Sequence, residues 1–229
     1  MSKFYSQQGE DRIIFEEIYN QNPPICGNYI ELGAMDGITY SNTKFFADTY
    51  NWNGVLIEPV PNLYQHLIRN RPNDECYNFA ITQEDGEVEF LGNFATSART
   101  DIMTPGFKAA WHGGNNNTYR VKSTPISKLV PFEKYPKIDF FSLDVEGGEL
   151  DVLESFDWRI DVHLILIEIN AEGQTNEGHA WGEYFDLERA EKCRQLLRDK
   201  GFTFVKRVGG NDLWRNLEFG KGKWYGNGQ

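Results

Sequence analysis

Short apolar runs alternate along the chain with segments whose apolar residues recur at helical spacing. The runs are Asn28 to Leu32, Gly54 to Glu58, Cys76 to Ile81, Ile138 to Asp144 and Leu164 to Asn170. Each is short and rich in Val, Ile, Leu and Phe, as strands covered on both faces are. Between them, helices are predicted over Ser41–Tyr50, from Pro61 to about Asn70, over Glu149–Phe156 and over Leu187–Lys200. Pro61 suits a first helical turn, and Gly201 a helix end. Ser6 is placed to cap a first helix reaching about Tyr19, with Ile13, Ile14, Phe15 and Ile18 on its apolar face. Glu87 to Leu91 alternates after an Asp85-Gly86 turn signal. Phe202–Val208 and Leu213–Leu217 read as an antiparallel hairpin turned at Gly209-Gly210-Asn211-Asp212.

This order implies an α/β fold with a mainly parallel sheet and a hairpin at the end. Residues 92–119 and 171–182 read as long loops rich in Gly and Asn, and long ordered loops often carry function. No linker-like stretch separates two cores. One domain over residues 1–229 is the expectation, with a Gly-rich tail from residue 221 expected to be mobile.

Charge narrows the partners. Thirty-four acidic against 23 basic residues give a net charge of −11, which opposes binding along a nucleic-acid backbone. No apolar run is long enough for a transmembrane span, and the first residues lack the apolar core of a secretory signal. Cys26, Cys76 and Cys193 are odd in number and far apart. They form neither a disulfide framework nor a zinc site, and they fit a reducing, cytoplasmic setting.

Three constellations carry candidate chemistry. In Tyr29-Ile30-Glu31-Leu32-Gly33-Ala34-Met35-Asp36-Gly37 a strand ends in an acid followed by a glycine turn. Ligands of open α/β sheets bind beyond the carboxyl ends of the strands. Met35 stands where a dinucleotide fingerprint has its middle glycine, so a phosphate-free adenosine ligand fits better than a pyrophosphate. Glu31 points the same way and calls for a cationic group nearby. Glu58 ends the second strand 25 residues after Gly33, where a ribose-binding carboxylate belongs. Asp144, Glu146 and Glu149 place three acids in six positions after the fourth strand. Such crowding costs energy unless a cation, donors or water share the charge. Glu149 also reads as a first-turn helix acid favoured by the dipole.

Four stretches together resemble the FkbM-type branch of the S-adenosylmethionine-dependent methyltransferases. They are Ser6-Gln7-Gln8-Gly9-Glu10-Asp11, the Glu31 to Gly37 turn with Ser41-Asn42-Thr43, Trp52 to Pro59, and Ile138 to Glu149; Asn78-Phe79-Ala80-Ile81 adds a third-strand pattern. The resemblance implies a Rossmann-like class I fold with a seven-stranded sheet, and O-methylation of a hydroxyl on a sugar, lipid-linked saccharide or polyketide. It implies that Glu31, Gly33, Ala34 and Gly37 surround the methionine part of the donor, with Asn42 near its ribose or methionine end. Glu58 and Pro59 would then hold the ribose, Ala80 would meet the adenine, and Asp144 would lie beside the methyl group. Methyltransferases acting on base amino groups often carry an Asn/Asp-Pro-Pro-aromatic run after strand 4; this chain has Asp144-Val145-Glu146-Gly147 there.

An alcohol needs help losing its proton. Asp144, Glu146 and His179, and also His112, are the candidate bases, whereas His66 and His163 lie in predicted helix and strand and read as structural. Asp144, Glu168 and Asn170 end neighbouring strands and form a partial oxygen shell for Mg²⁺ or Mn²⁺. Trp111, Tyr119, Trp181 and Tyr184 lie in or beside the two loops and could stack on sugar faces. A nicotinamide-dependent oxidoreductase and a non-catalytic glycan-binding domain are the rival readings. Met35 counts against the first, and the intact acids Glu31, Glu58 and Asp144 against the second.

Overall fold

The computed structural model describes residues 3–169, 175–176, 179–180 and 186–221. The chain opens with α1 (Glu10–Ile13), which widens into a π-helical turn over Ile14–Ile18. β1 (Asn28–Leu32), α2 (Lys44–Tyr50), β2 (Asn53–Ile57), α3 (Pro61–Asn70) and β3 (Glu75–Tyr77) then alternate. Four further strands follow: β4 (Ala80–Ile81), β5 (Gly86–Leu91), β6 (Ala98–Arg99) and β7 (Thr118–Thr124). Between the last two lie α4 (Pro105–Phe107) and a π-helical turn, Lys108–His112. α5 (Ile126–Leu129), β8 (Lys137–Leu143), α6 (Glu149–Ser155) and β9 (Asp161–Glu168) resume the alternation. β10 (Thr175–Asn176) and β11 (His179–Ala180) make a two-residue ribbon, and α7 (Leu187–Asp199) leads into the hairpin of β12 (Phe202–Val208) and β13 (Asn211–Asn216).

The main sheet has seven strands in the order β12-β13-β9-β8-β1-β2-β3. β3, β2, β1, β8 and β9 are parallel, and β13 and β12 join antiparallel. This is the seven-stranded, mainly parallel sheet with a C-terminal antiparallel hairpin that the resemblance implies. Along β1, Tyr29 faces one core and Ile30 and Leu32 the other, which is why the strands read as unbroken apolar runs. One face is covered by the π-helical turn after α1, by α2 and by α3 through Ile14, Phe45, Phe46 and Leu67. The other is covered by α5, α6 and α7 through Ile126, Val152, Leu153 and Leu197. Among the described residues no helix is long and apolar enough to cross a membrane.

The strand order reverses at β1, whose neighbours are β2 and β8. That switch point opens a crevice at the carboxyl ends of the strands.

Three expectations are corrected. The run Cys76–Ile81 is not one strand: β3 ends at Tyr77, and β4 pairs with β7 in a second, four-stranded sheet of order β4-β7-β5-β6. The Asn78 amide pulls the chain out of line by donating to the carbonyls of Glu58 and Pro59 at 2.8 and 2.9 Å. Residues 92–119 are not a plain loop, since they contain β6, α4 and the start of β7. The first helix starts at Glu10, because Gly9 takes a left-handed φ of +84°; Ser6 lies further back, but its hydroxyl still accepts from the first-turn N–H of Asp11 at 3.2 Å and donates to the Asp11 carboxylate at 2.6 Å.

Candidate functional site

A cleft of about 510 Å³ sits at the switch point, within the size range of small-molecule sites. Its floor is the carboxyl ends of β1, β2, β8 and β9. Its walls are the small sheet, the N-terminal segment through Gln7, Gln8 and Glu10, and the hairpin turn through Gly209, Gly210 and Asn211.

On the β2 side, Glu58 is only 3% exposed yet lines the cleft. Its oxygens accept from the backbone N–H of Met35 at 2.8 Å and of Val60 at 2.7 Å. A carboxylate offers about four lone-pair sites, so two remain for a ligand's hydroxyls. Burial pushes its pKa up to about 7, and Asp144 adds to the rise. Pro59, Phe79, Ala80 and Leu63 continue this wall with an apolar surface.

Glu31 lines the cleft, and its carboxylate is also engaged within the chain. Its carboxylate accepts from the Ser41 hydroxyl at 2.8 Å, the Asn42 N–H at 2.7 Å and the Thr43 hydroxyl at 2.6 Å. The cation it calls for is the chain's own Arg71, 3.9 Å away and buried. Arg71 also donates to the Gly37 carbonyl and pairs with Asp74 at 2.8 Å, so it holds the turn from below. Glu31 thereby fixes Asn42, whose Nδ2 donates to Ser142 at 2.9 Å and whose buried Oδ1 has no partner among the described residues. An unpaired amide oxygen in a cleft wall suits a ligand's ammonium group.

Gly33 has φ +74°, and a Cβ there would lie 2.0 Å from the Asp144 carbonyl oxygen. The missing side chain makes room for the Asp144 carbonyl just past β8, and Gly33 itself lines the cleft. Gly37 is not part of the lining: a Cβ there would meet Arg71 and Leu67. Ala34 is buried in the core behind the turn.

On the β8 and β9 side, carboxylate oxygens of Asp144, Glu146 and Glu168 lie within 4.8 Å of one another. All three are half-buried and line the cleft. Burial pushes the Asp144 pKa up to about 6, although a hydrogen bond with Glu168 pulls it down. Burial and the neighbouring acids push Glu146 and Glu168 well above the usual range. Among the described residues Glu146 thus joins Asp144 and Glu168, the two strand-end acids expected to form an oxygen shell; Asn170, the third expected member, lies outside the described residues. The side chain of His179 lies outside them too.

His112 does not reach the cleft. Its Nε2 sits 3.1 Å from the Thr96 carbonyl and braces the loop. His163 packs against Tyr19, Arg215 and Phe219, and burial lowers its pKa to about 4.

Trp111 and Phe94 stand at the mouth, 50% and 53% exposed, with Tyr40 opposite. Tyr119 instead packs behind Phe90. Trp181 and Tyr184 lie outside the described residues. Sequence reasoning missed Phe94, Tyr40, Gln7, Gln8, Glu10 and Arg99 as cleft residues. Among the described residues lining the cleft, Arg99 is the one arginine, and it is occupied by Asp101 and Asp151.

The crowding has a consequence for stability. Glu31, Glu58, Asp144, Glu146, Glu149 and Glu168 all have raised pKa values in the fold. The folded protein therefore holds their protons more tightly than the unfolded chain, and stability falls as pH rises between about 4.5 and 7. His163, lowered to about 4, opposes this below its usual value, but it is one group against six. The thermal midpoint of the ligand-free protein should rise as pH is lowered from about 7 to 5. A midpoint that stays level or falls would refute this account of the acids.

Residues 31–204 match the family described as the methyltransferase FkbM domain. No curated protein matches the chain. A crystal structure of the methyltransferase FkbM from Methylobacillus flagellatus is similar at 13% identity and a TM-score of 0.46, covering 82% of this chain and 43% of that one. The chain thus spans less than half of that relative's length. A TehB-like methyltransferase from Corynebacterium glutamicum is similar at 10% identity and a TM-score of 0.44, covering 93% of this chain and 89% of that one.

Proposed function

The chain belongs to the methyltransferase FkbM domain family, and from that premise we propose that it moves a methyl group from S-adenosylmethionine to a hydroxyl oxygen of a sugar or glycan. The observation that carries this reading is the joining of two sites in one cleft: an anchored Glu58 on the β2 side and the Asp144 carboxylate on the β8 side.

The residues fit the donor. Glu58 accepts from the ribose hydroxyls, and the apolar wall of Pro59, Phe79 and Ala80 takes the adenine. The unpaired Asn42 Oδ1 accepts from the ammonium group. The donor supplies a methyl group already activated on a sulfonium, so positioning is much of the remaining work. The lining acids attract that positive charge. Asp144 is the base: it takes the acceptor's proton as the oxygen bonds to the methyl carbon and the carbon–sulfur electron pair returns to sulfur. Trp111 and Phe94 offer ring faces to the C–H surface of a sugar.

Replacing Trp111 by Ala should raise the acceptor KM about 3- to 10-fold, the worth of one aromatic contact, and leave donor affinity unchanged. Equal acceptor KM values for both proteins would remove Trp111 from the acceptor site.

Asp144, Glu146 and Glu168 are also an oxygen set suited to Mg²⁺ or Mn²⁺. The test of function is calorimetric titration with S-adenosylmethionine and, separately, NADH, followed by S-adenosylhomocysteine release over a panel of mono- and oligosaccharides with and without EDTA. Donor binding and EDTA-resistant turnover support the base reading. EDTA-sensitive turnover restored by Mg²⁺ or Mn²⁺ assigns the acids to a metal. NADH binding in place of the donor overturns the proposal.

A further inference from the structure

We propose that Glu149 is the positioning residue of the acid triad: it fixes Glu146 through the backbone and touches no reacting atom. The proposal rests on the functional reading above for its kinetic consequence, but not for its geometry.

Glu149 is the first residue of α6 and is buried. One of its oxygens, Oε1, accepts from the N–H of Val145 and from the N–H of Gly147, each at 3.1 Å. The residue between those two donors is Glu146. Its φ is +53°, a left-handed conformation that residues with a side chain rarely adopt, and Gly147 follows at +101°. Such backbone persists only where its surroundings enforce it. Here the enforcing group is a single oxygen beneath the loop. It is carried by a helix that is itself locked into the core through Leu150, Val152 and Leu153.

The loop conformation puts the Glu146 carboxylate within 4.8 Å of those of Asp144 and Glu168. Without the shared acceptor, the Val145 and Gly147 amides lose their partner. Glu146 is then free to relax to negative φ, which swings its carboxylate out of the triad. Because both bonds converge on one oxygen, an amide oxygen serves as well as a carboxylate oxygen. Glu149→Gln therefore keeps the clamp, and Glu149→Ala removes it. This differs from a helix-dipole role, in which the charge of Glu149 is what matters.

Gly147→Ala attacks the same loop independently. A Cβ at Gly147 meets nothing nearer than Ile102 Cδ1 at 4.0 Å, so only the backbone angle is penalised. This variant keeps the test open if Glu149→Ala does not fold.

Amide hydrogen exchange at Val145 and Gly147 is measured in all four proteins, together with kcat, acceptor KM and donor Kd. Exchange in Glu149→Ala should quicken about tenfold or more, with wild-type rates in Glu149→Gln. A misplaced group near the chemistry should cost kcat about 10- to 100-fold in Glu149→Ala and Gly147→Ala, with donor Kd held and Glu149→Gln close to wild type. Loss in Glu149→Gln equal to that in Glu149→Ala would show that charge is required and overturn the proposal. So would unchanged exchange in Glu149→Ala. If the wild type methylates no acceptor, the functional reading fails, and the exchange comparison alone decides the clamp.

Discussion

Asp144→Asn should lower methyl transfer at least about 100-fold at saturating donor and acceptor, the usual contribution of a positioned acid–base group. The substitution keeps the shape and removes the negative charge, and with it the ability to accept a proton. Asp144 follows directly on β8, and its N–H reaches the Leu32 carbonyl of β1 at 3.4 Å, so the sheet and not a free loop sets its place. Its pKa, pushed up to about 6 by burial, brings it closer to the working range of a base than an exposed aspartate. The competent form is the carboxylate. Wild-type kcat should therefore rise with pH through about 6 and level off above it, whereas the residual activity of Asp144→Asn should lack that step. Near-wild-type turnover in Asp144→Asn would remove Asp144 from the chemistry, leaving Glu146 and His179 as the bases to test.

The second large effect lies in donor binding. Glu58→Ala should weaken S-adenosylmethionine binding by about 1–3 kcal/mol, the range for hydrogen bonds to a charged group, or roughly 5- to 150-fold in Kd. Two losses combine. The ribose hydroxyls lose their acceptor, and the Met35 and Val60 amides lose the carboxylate that aligns the two turns. Glu58→Gln separates them. Its amide oxygen can still serve one backbone amide, but its NH₂ cannot accept, so it should fall between the wild type and Ala. Unchanged donor affinity in a folded Glu58→Ala would move the ribose elsewhere.

The parts of this molecule that were legible in the sequence are those whose cause is local. β1, β2, β8 and β9 are buried on both faces, so each reads as an apolar run, and the acid that follows a run arrives at the cleft. Glu58, Asp144 and Glu168 are found that way. The parts that were not legible depend on distant pairing. β7 faces solvent on one side and pairs with the two-residue β4 and with β5, so its polar half hides it among the Gly- and Asn-rich neighbours. Arg71 lies 40 residues after Glu31, and nothing local marks it as that acid's partner. Gln7, Gln8 and Glu10 reach the cleft because the N-terminal segment crosses the strand ends, with Glu10 tied to Asn211 of the hairpin at 3.1 Å. Glu146 stands out in the sequence as an acid crowded beside Asp144, but its left-handed backbone is not marked by any pattern of residue types.

The most direct measurement is transfer from S-adenosylmethionine carrying a ¹³C-labelled methyl group to an accepting saccharide, with the product read by NMR. The account predicts one labelled methyl ether per S-adenosylhomocysteine released, with the label on a carbohydrate oxygen. A label found on nitrogen or carbon, or a donor that binds and is never turned over with any hydroxyl acceptor, would contradict it.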